Sequence, residues 1–120
     1  MMEKTFTNED LKIKLTSFID KQQNIWFRGK DVAEILGYSN VRKAVWSHVS
    51  KDHKMLQLYW SSETERQQND TRGKYCTFID EAGFYELVFS SKLDAAKKFR
   101  DWVFSTVLPS IRKFGYYKLF

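Results

Sequence analysis

The sequence predicts an α+β domain, in which a small antiparallel sheet of about four strands packs with roughly three or four helices. Apolar and polar residues alternate in segments such as residues 11–16, and this alternation is typical of half-buried strands. Other segments, such as residues 93–111, repeat apolar residues at helical spacing. A chain of 120 residues with 42% hydrophobic content is long enough for one modest core, so we expect a single domain over residues 11–120.

The first part of the chain predicts a β-hairpin. Residues 1–10 are polar and are expected to form a flexible N-terminus. One strand then runs from Leu11 to Ile19, residues 20–24 make the turn, and residues 25–28 return as the partner strand. A lone hairpin is only marginally stable, so the later helices are expected to cover it.

Residues 29–49 predict two helices joined by a tight turn. Gly37 can end the first helix in a left-handed conformation, and Ser39 or Asn40 can cap the second. Such a helix-turn-helix-like corner can place its second helix in a DNA major groove, although many corners of this kind never bind DNA. Lys43 counts against a DNA-reading corner because it occupies a usually apolar position. The residues expected to face inward are Val32, Ala33, Ile35, Leu36, Val41, Ala44, Val45 and Val49.

The second half predicts two more strands and two more helices. Residues 54–60 and 75–79 form the strands, joined by a long polar hairpin loop over residues 61–73 that is either a solvated loop or an arm contacting DNA. Asp80 suits the N-cap of a helix that buries Phe84, Leu87 and Val88. In the last helix, Pro109 is expected to cause a kink or an end near residues 107–108, and Gly115 can close a short basic turn.

Charge and composition limit the classes of function. The net charge is +5, and residues 28–54 carry six Lys and Arg against three Asp and Glu, while residues 92–118 carry seven against two. A basic helix corner and a basic last helix favour a polyanionic partner. The single cysteine, Cys76, excludes an internal disulfide and indicates an intracellular, reducing compartment. No apolar run is long enough to span a membrane, so a membrane is not expected as a partner.

Several separated segments together resemble the Bro-N domain, the N-terminal domain of baculovirus-repeated-ORF proteins and phage antirepressors. The matching segments are Phe27, residues 30–33 (Lys-Asp-Val-Ala), 36–40 (Leu-Gly-Tyr-Ser-Asn), 48–49 (His-Val), 77–85, 95–103 and 107–115. The resemblance covers roughly residues 11–116. It implies nucleic-acid binding and viral or prophage regulation, and for a viral protein it implies the nucleus or cytoplasm of the host cell.

We expect double-stranded DNA as the partner. The residues predicted to bind it are Arg28, Lys30, Ser39, Asn40, Arg42, Lys43, Ser47, His48, Lys51 and Lys54. Lysines and arginines would pair with phosphates, whereas Asn40, Arg42 and Ser47 are candidates for base edges. Trp46 could pack in the core or stack on a base, and His48 could instead fix the helix end. Possible secondary contacts are Arg66, Arg72, Lys74, Arg112 and Lys113.

The sequence contains no motif that predicts an enzyme, a cofactor or a metal. It has no phosphate-binding glycine loop, no HExxH and no pair of CxxC motifs, and His48 and His53 have no cysteine nearby. An alternative function is protein–protein interaction of the antirepressor type, or self-association, through Phe114, Tyr116, Tyr117 and Phe120. A third, RNA or single-stranded DNA binding, depends on the aromatic content alone.

Overall fold

A computed structural model of the chain describes residues 2–59, 74–91 and 94–118. The strands of this part are β1 (Met2–Asn8), β2 (Ile13–Ile19), β3 (Ile25–Arg28), β4 (Lys54–Tyr59) and β5 (Lys74–Asp80). The helices are α1 (Gly29–Ile35), α2 (Val41–His48), α3 (Glu81–Ser90), α4 (Asp94–Trp102) and α5 (Leu108–Lys118). A π-helical segment, Val103–Val107, joins α4 to α5 without a break, and a 3₁₀ turn, Lys51–His53, precedes β4.

The five strands form one antiparallel sheet in the order β1-β2-β3-β5-β4. The predicted α+β fold is therefore confirmed, with one strand more than the sequence suggested. The additional strand is β1, where a flexible N-terminus was expected. β1 pairs with β2 from Met2 opposite Ile19 to Asn8 opposite Ile13. Met2 and Phe6 pack against the core, and these two apolar side chains are enough to dock a strand whose other residues are polar.

The core lies between the helices and one face of the sheet. The strands contribute Leu15, Ile19, Phe27 and Ile79. The helices and the π-helical segment contribute Val32, Ala33, Ala44, Val45, Phe84, Leu87, Ala96, Phe99, Val103, Val107, Leu108 and Ile111, and Leu36 and Val49 lie directly after α1 and α2. Phe84 packs between Phe27 and Phe99, with both ring centroids 5.7 Å away. Each such buried side chain contributes about 1.5–3 kcal/mol of transfer free energy. The inward faces predicted for both helices of the corner are confirmed.

The turn between β2 and β3 is organised by Asp20. Its carboxylate accepts the backbone N–H groups of Gln22 and Asn24 at 2.9 and 2.8 Å, and the Trp26 indole N–H at 2.9 Å. Burial raises the pKa of the Asp20 carboxyl, but the hydrogen bonds from Trp26, Asn24 and Gln22 outweigh it and hold the pKa below its usual value. This turn fixes Trp26 on β3.

Of the two outcomes predicted for Pro109, an end of the helix is wrong, but the regular α-helix is interrupted just before residue 108 by the π-helical segment Val103–Val107. Proline lacks the N–H that would bond to the carbonyl of Ser105, and its ring would crowd that carbonyl in a regular α-helix. The backbone is instead π-helical just before it, and the N–H of Leu108 donates to the carbonyl of Val103, five residues back. This change of hydrogen-bond register lets the helix pass the proline. The end expected at Gly115 is also wrong, because α5 continues to Lys118.

Some predictions fall outside the described part of the structure. They concern the 61–73 loop with Arg66 and Arg72, the side chains of Lys74, Phe114, Tyr116 and Tyr117, and Phe120. Among the helices that are described, none is long and apolar enough to cross a membrane.

Candidate nucleic-acid interface

The turn between α1 and α2 is built from a glycine and an asparagine. Gly37 has a φ of 81°, the left-handed conformation that the sequence predicted. Its N–H donates to the carbonyl of Glu34 at 3.0 Å, which closes α1. Of the two predicted caps of α2, Asn40 is the one used, because its Oδ1 accepts the Lys43 N–H at 3.0 Å. Ser39 lies exposed in the turn. Whether this corner reads DNA as a helix-turn-helix remains a prediction.

α2 has one buried face and one outer face that carries positive charge. Ala44 and Val45 are each only 5% exposed and anchor the helix to the core. On the opposite side, four exposed side chains form the outer face of α2: Arg42, Lys43, Trp46 and Ser47. α2 contains no acidic residue. Neither Arg42 nor Lys43 forms an ion pair with any residue that the structure describes, so both charges are available to an anion.

Trp46 lies at the centre of this outer face. It is 76% exposed, so the expectation that it packs in the core is wrong. The ammonium group of Lys54 lies 4.4 Å from the centroid of its ring and donates to the Trp46 carbonyl at 3.1 Å. An exposed indole beside cationic groups can stack on a base while the cations contact phosphates. Its helical position could have revealed this, since it follows Arg42 by four residues and lies opposite Ala44 and Val45.

Two of the predicted cationic residues are compensated locally. The Arg28 guanidinium is half-buried and lies 3.0 Å from the Asp31 carboxylate. Lys30 lies 3.9 Å from Glu34, one helical turn away. Both acidic partners belong to α1. Arg28 and Lys30 therefore add less to an anion-binding surface than Arg42 and Lys43 do.

His48 has a structural environment at the end of α2. Its ring packs on Tyr38, with the centroids 5.6 Å apart, and the Tyr38 hydroxyl donates to the carbonyl of Leu87 at 2.7 Å. These contacts join α2 to α3 and match the alternative that His48 fixes the helix end. Among the other predicted residues, Lys51 is exposed in the 3₁₀ turn, Lys113 is exposed on α5, and Arg112 pairs with Glu81.

The segment after α2 is held on α3 by hydrogen bonds. The Glu86 carboxylate accepts the Ser50 hydroxyl at 2.6 Å and the Ser50 N–H at 3.1 Å. His53 Nδ1 lies 3.0 Å from the Asp80 carboxylate, whose other oxygen caps α3 by accepting the Gly83 N–H. The hydrogen bond to Asp80 raises the pKa of His53, burial opposes this, and the charges of Asp80, Glu86 and Asp52 add to the increase. These contacts fix where α2 ends and β4 begins.

The described residues include no group of three or more His, Cys, Asp or Glu side chains that could hold a metal ion. The surface around α2 consists of the cationic side chains of Arg42 and Lys43, the capping side chain of Asn40 and the exposed ring of Trp46.

Comparisons with known proteins place these features in a family. The family model described as "BRO family, N-terminal domain" matches residues 14–109. The chain is 37% identical over 115 residues to an uncharacterized protein of Haemophilus influenzae, covering 96% of the chain and 52% of that relative. It is 34% identical over 128 residues to the putative Bro-N domain-containing protein 289L of Invertebrate iridescent virus 6, covering 96% of the chain and 29% of that relative.

A second protein of the same virus, the putative Bro-N domain-containing protein 201R, is 32% identical over 128 residues, covering 96% of the chain and 30% of its own length. The chain thus spans between about a third and a half of these relatives. No solved structure matches it significantly.

Proposed function

The chain belongs to the Bro-N family, the N-terminal domain of the BRO family, and we propose from this that it is a DNA-binding module that contacts duplex DNA through the outer face of α2. One observation carries the proposal: α2 exposes Arg42 and Lys43 with no acidic residue on the helix and no ion-pair partner among the described residues. Such uncompensated charge attracts phosphates by releasing condensed counterions.

In this proposal the side chains of α2 make two kinds of contact, with phosphates and with base edges. Arg42 and Lys43 pair with phosphates, and Lys51 and Lys54 extend the positive surface beyond the helix. Arg42 and Ser47 can also reach base edges in the major groove. Asn40 is less suited to base reading than the sequence suggested. Its Oδ1 already accepts the Lys43 N–H, and bidentate recognition of adenine needs that same oxygen.

The role in the cell follows from the same proposal. Because the chain spans between about a third and a half of the relatives it matches, the module would bring the rest of a viral or prophage regulator to DNA. The alternative, a protein-binding module of the antirepressor type, depended on Phe114, Tyr116, Tyr117 and Phe120, whose side chains lie outside the described residues. Duplex DNA is preferred because the exposed cations of α2, which have no ion-pair partner among the described residues, suit phosphates. The exposed ring of Trp46 keeps single-stranded nucleic acid as an outcome of the test.

The test is fluorescence anisotropy with a labelled random duplex, repeated across a salt series. We expect binding that weakens with salt, and the Arg42→Ala/Lys43→Ala variant should flatten the slope of log K against log salt by about 1.8, or 0.9 per lost phosphate contact. The matched control is Lys97→Ala/Lys98→Ala, which removes two adjacent exposed lysines from α4. Equal losses in both variants, or no binding by the wild type, would overturn the proposal. Stronger competition by single strands than by duplex would overturn the choice of duplex.

A further inference from the structure

α3 carries apolar side chains on its outer face as well as on its inner one. Phe84 and Leu87 are fully buried against the core. On the opposite side, Tyr85 is 37% exposed and Phe89 is 94% exposed, four residues apart on the same stripe. Ala82, half-buried, continues the stripe one turn earlier. A helix with apolar residues on all sides is normally buried on all sides. The outer apolar residues of α3 are instead exposed to solvent.

A neighbouring side chain enlarges this outer surface. The ring of Phe104, in the π-helical segment, lies 5.2 Å from the ring of Tyr85 and is itself 39% exposed. We call Ala82, Tyr85, Phe89 and Phe104 the aromatic ridge. With about 150–250 Å² for a whole aromatic side chain, its three rings expose roughly 350 Å². A patch of that size on a single chain is often functional.

The polar groups beside the ridge already form hydrogen bonds. The Tyr85 hydroxyl donates to the Glu81 carboxylate at 2.8 Å, and Arg112 pairs with the same carboxylate. Glu86, on the flank of α3, accepts from Ser50. α3 also contains no lysine or arginine. Of the two carboxylates of α3, Glu81 is paired with Arg112, whereas Glu86, among the described residues, accepts only from the neutral Ser50 and has to stay at the solvated rim of an interface. Bringing two copies together along α3 would not place cations of this helix against each other.

We propose that a second copy of the chain covers the aromatic ridge, with the two α3 helices packed antiparallel about a twofold axis near Tyr85. Residues 82, 85 and 89 have the three-and-four spacing with which helices pair. The midpoint between Ala82 and Phe89 falls beside Tyr85. A twofold axis at that point therefore places the small Ala82 of each copy against the Phe89 of the other copy. A parallel pairing would set the two Phe89 rings against each other.

The aromatic ridge supplies a little under half of the area that a standard dimer interface buries on each partner. The ridge provides about 350 Å² of apolar surface on each copy, and a standard interface buries about 800 Å² on each partner. The ridge would form the centre, and the polar residues around it would form the rim. This association does not depend on DNA, so it is separate from the proposed function of α2.

Light scattering coupled to size-exclusion chromatography tests the proposal over a concentration series. The wild-type mass should rise from 14.3 kDa towards twice that value. Phe89→Glu should remain at 14.3 kDa, and it should stay folded because Phe89 is 94% exposed. The matched control is Leu56→Glu on β4, another exposed apolar residue that lies outside α3, and it should behave as the wild type. A wild type that stays at the monomer mass, or a Phe89→Glu variant that associates normally, would overturn the proposal.

A size exchange tests the antiparallel register. Ala82→Phe alone should weaken association, because two large rings then meet at each end of the helix pair. The double variant Ala82→Phe/Phe89→Ala restores one small and one large residue at each contact, and it should recover association. Failure to recover, with both variants folded by circular dichroism, would overturn the antiparallel arrangement.

Discussion

Replacing Asn40 separates its structural role from a role near DNA. Its exposed side chain accepts the Lys43 N–H at Oδ1, 3.0 Å away. Asn40→Ala removes that acceptor and leaves a helical N–H to water, which costs about 1 kcal/mol. Because α2 is anchored in the core by Ala44 and Val45, the loss should appear in global unfolding. For a domain of 120 residues this lowers the melting temperature by about 4 °C.

Asn40→Asp provides the contrasting case. Aspartate caps a helix as well as asparagine does, and its charge is favourable at a helix N-terminus by about 0.3–1 kcal/mol. The fold should therefore be as stable as the wild type or more stable. The same carboxylate lies at the start of the helix that carries Arg42 and Lys43, where it would repel phosphates. If the repulsion is about 1 kcal/mol, duplex affinity should fall about fivefold.

Two measurements decide between these roles: thermal unfolding by circular dichroism, and duplex binding by anisotropy at low salt. We expect Asn40→Ala to lose stability and Asn40→Asp to lose only affinity. If Asn40→Ala melts with the wild type, the capping argument is refuted. If Asn40→Asp is folded and binds duplex as tightly as the wild type, the phosphates do not approach the start of α2.

Three further predictions follow from single contacts. In Gly83→Ala, the new Cβ would lie 2.8 Å from the backbone carbonyl oxygen of His53, so the free energy of unfolding measured by urea denaturation should fall by about 1–3 kcal/mol. A variant as stable as the wild type would contradict this close approach. The Asp80 hydrogen bond raises the pKa of His53, so the stabilisation from the protonated His53 is complete below about pH 6.5 and is lost as the pH rises through the raised pKa. Unfolding measured between about pH 5.5 and pH 8.5 should therefore show a decline in stability that the His53→Gln variant lacks. Parallel pH profiles of the two proteins would contradict this prediction. Trp46→Ala should change the free energy of unfolding by less than about 0.5 kcal/mol, because the side chain is exposed. The same variant should weaken DNA binding, measured by anisotropy, by about 1 kcal/mol. An unchanged affinity would exclude stacking of Trp46 on a base.

The helix corner could be predicted closely because its signals are local. Gly37 and Asn40 specify the turn through their own conformational and capping preferences, and the apolar spacing specifies which faces are buried. Asp80 was identified as a cap in the same way, and its side chain does accept the Gly83 N–H. These features need no knowledge of distant residues.

The features that were missed depend on contacts between distant segments. β1 is held by pairing with β2 and by only two packed side chains, so its polar sequence resembles a free terminus. The sequence predicts phosphate contacts for Arg28 and Lys30, but a count of charges over residues 28–54 does not show that Asp31 and Glu34 lie beside these two side chains. The sequence predicts the inward face of α3, but it does not predict that Tyr85 and Phe89 stay exposed, because exposure depends on which other segments pack on the helix. Pro109 predicts a disturbance of the helix near residues 107–108, but the sequence does not specify that a π-helical segment carries the helix past the proline.

The central claim is that the outer face of α2 meets DNA, and an amide NMR titration with a short duplex tests it most directly. The indole N–H of Trp46 and the backbone amides of residues 40–48 should shift first. The Trp26 indole, which donates to Asp20 in the β2–β3 turn, should stay unchanged and act as an internal reference. Shifts confined to α5 around Arg112 and Lys113, with α2 unaffected, would contradict the account.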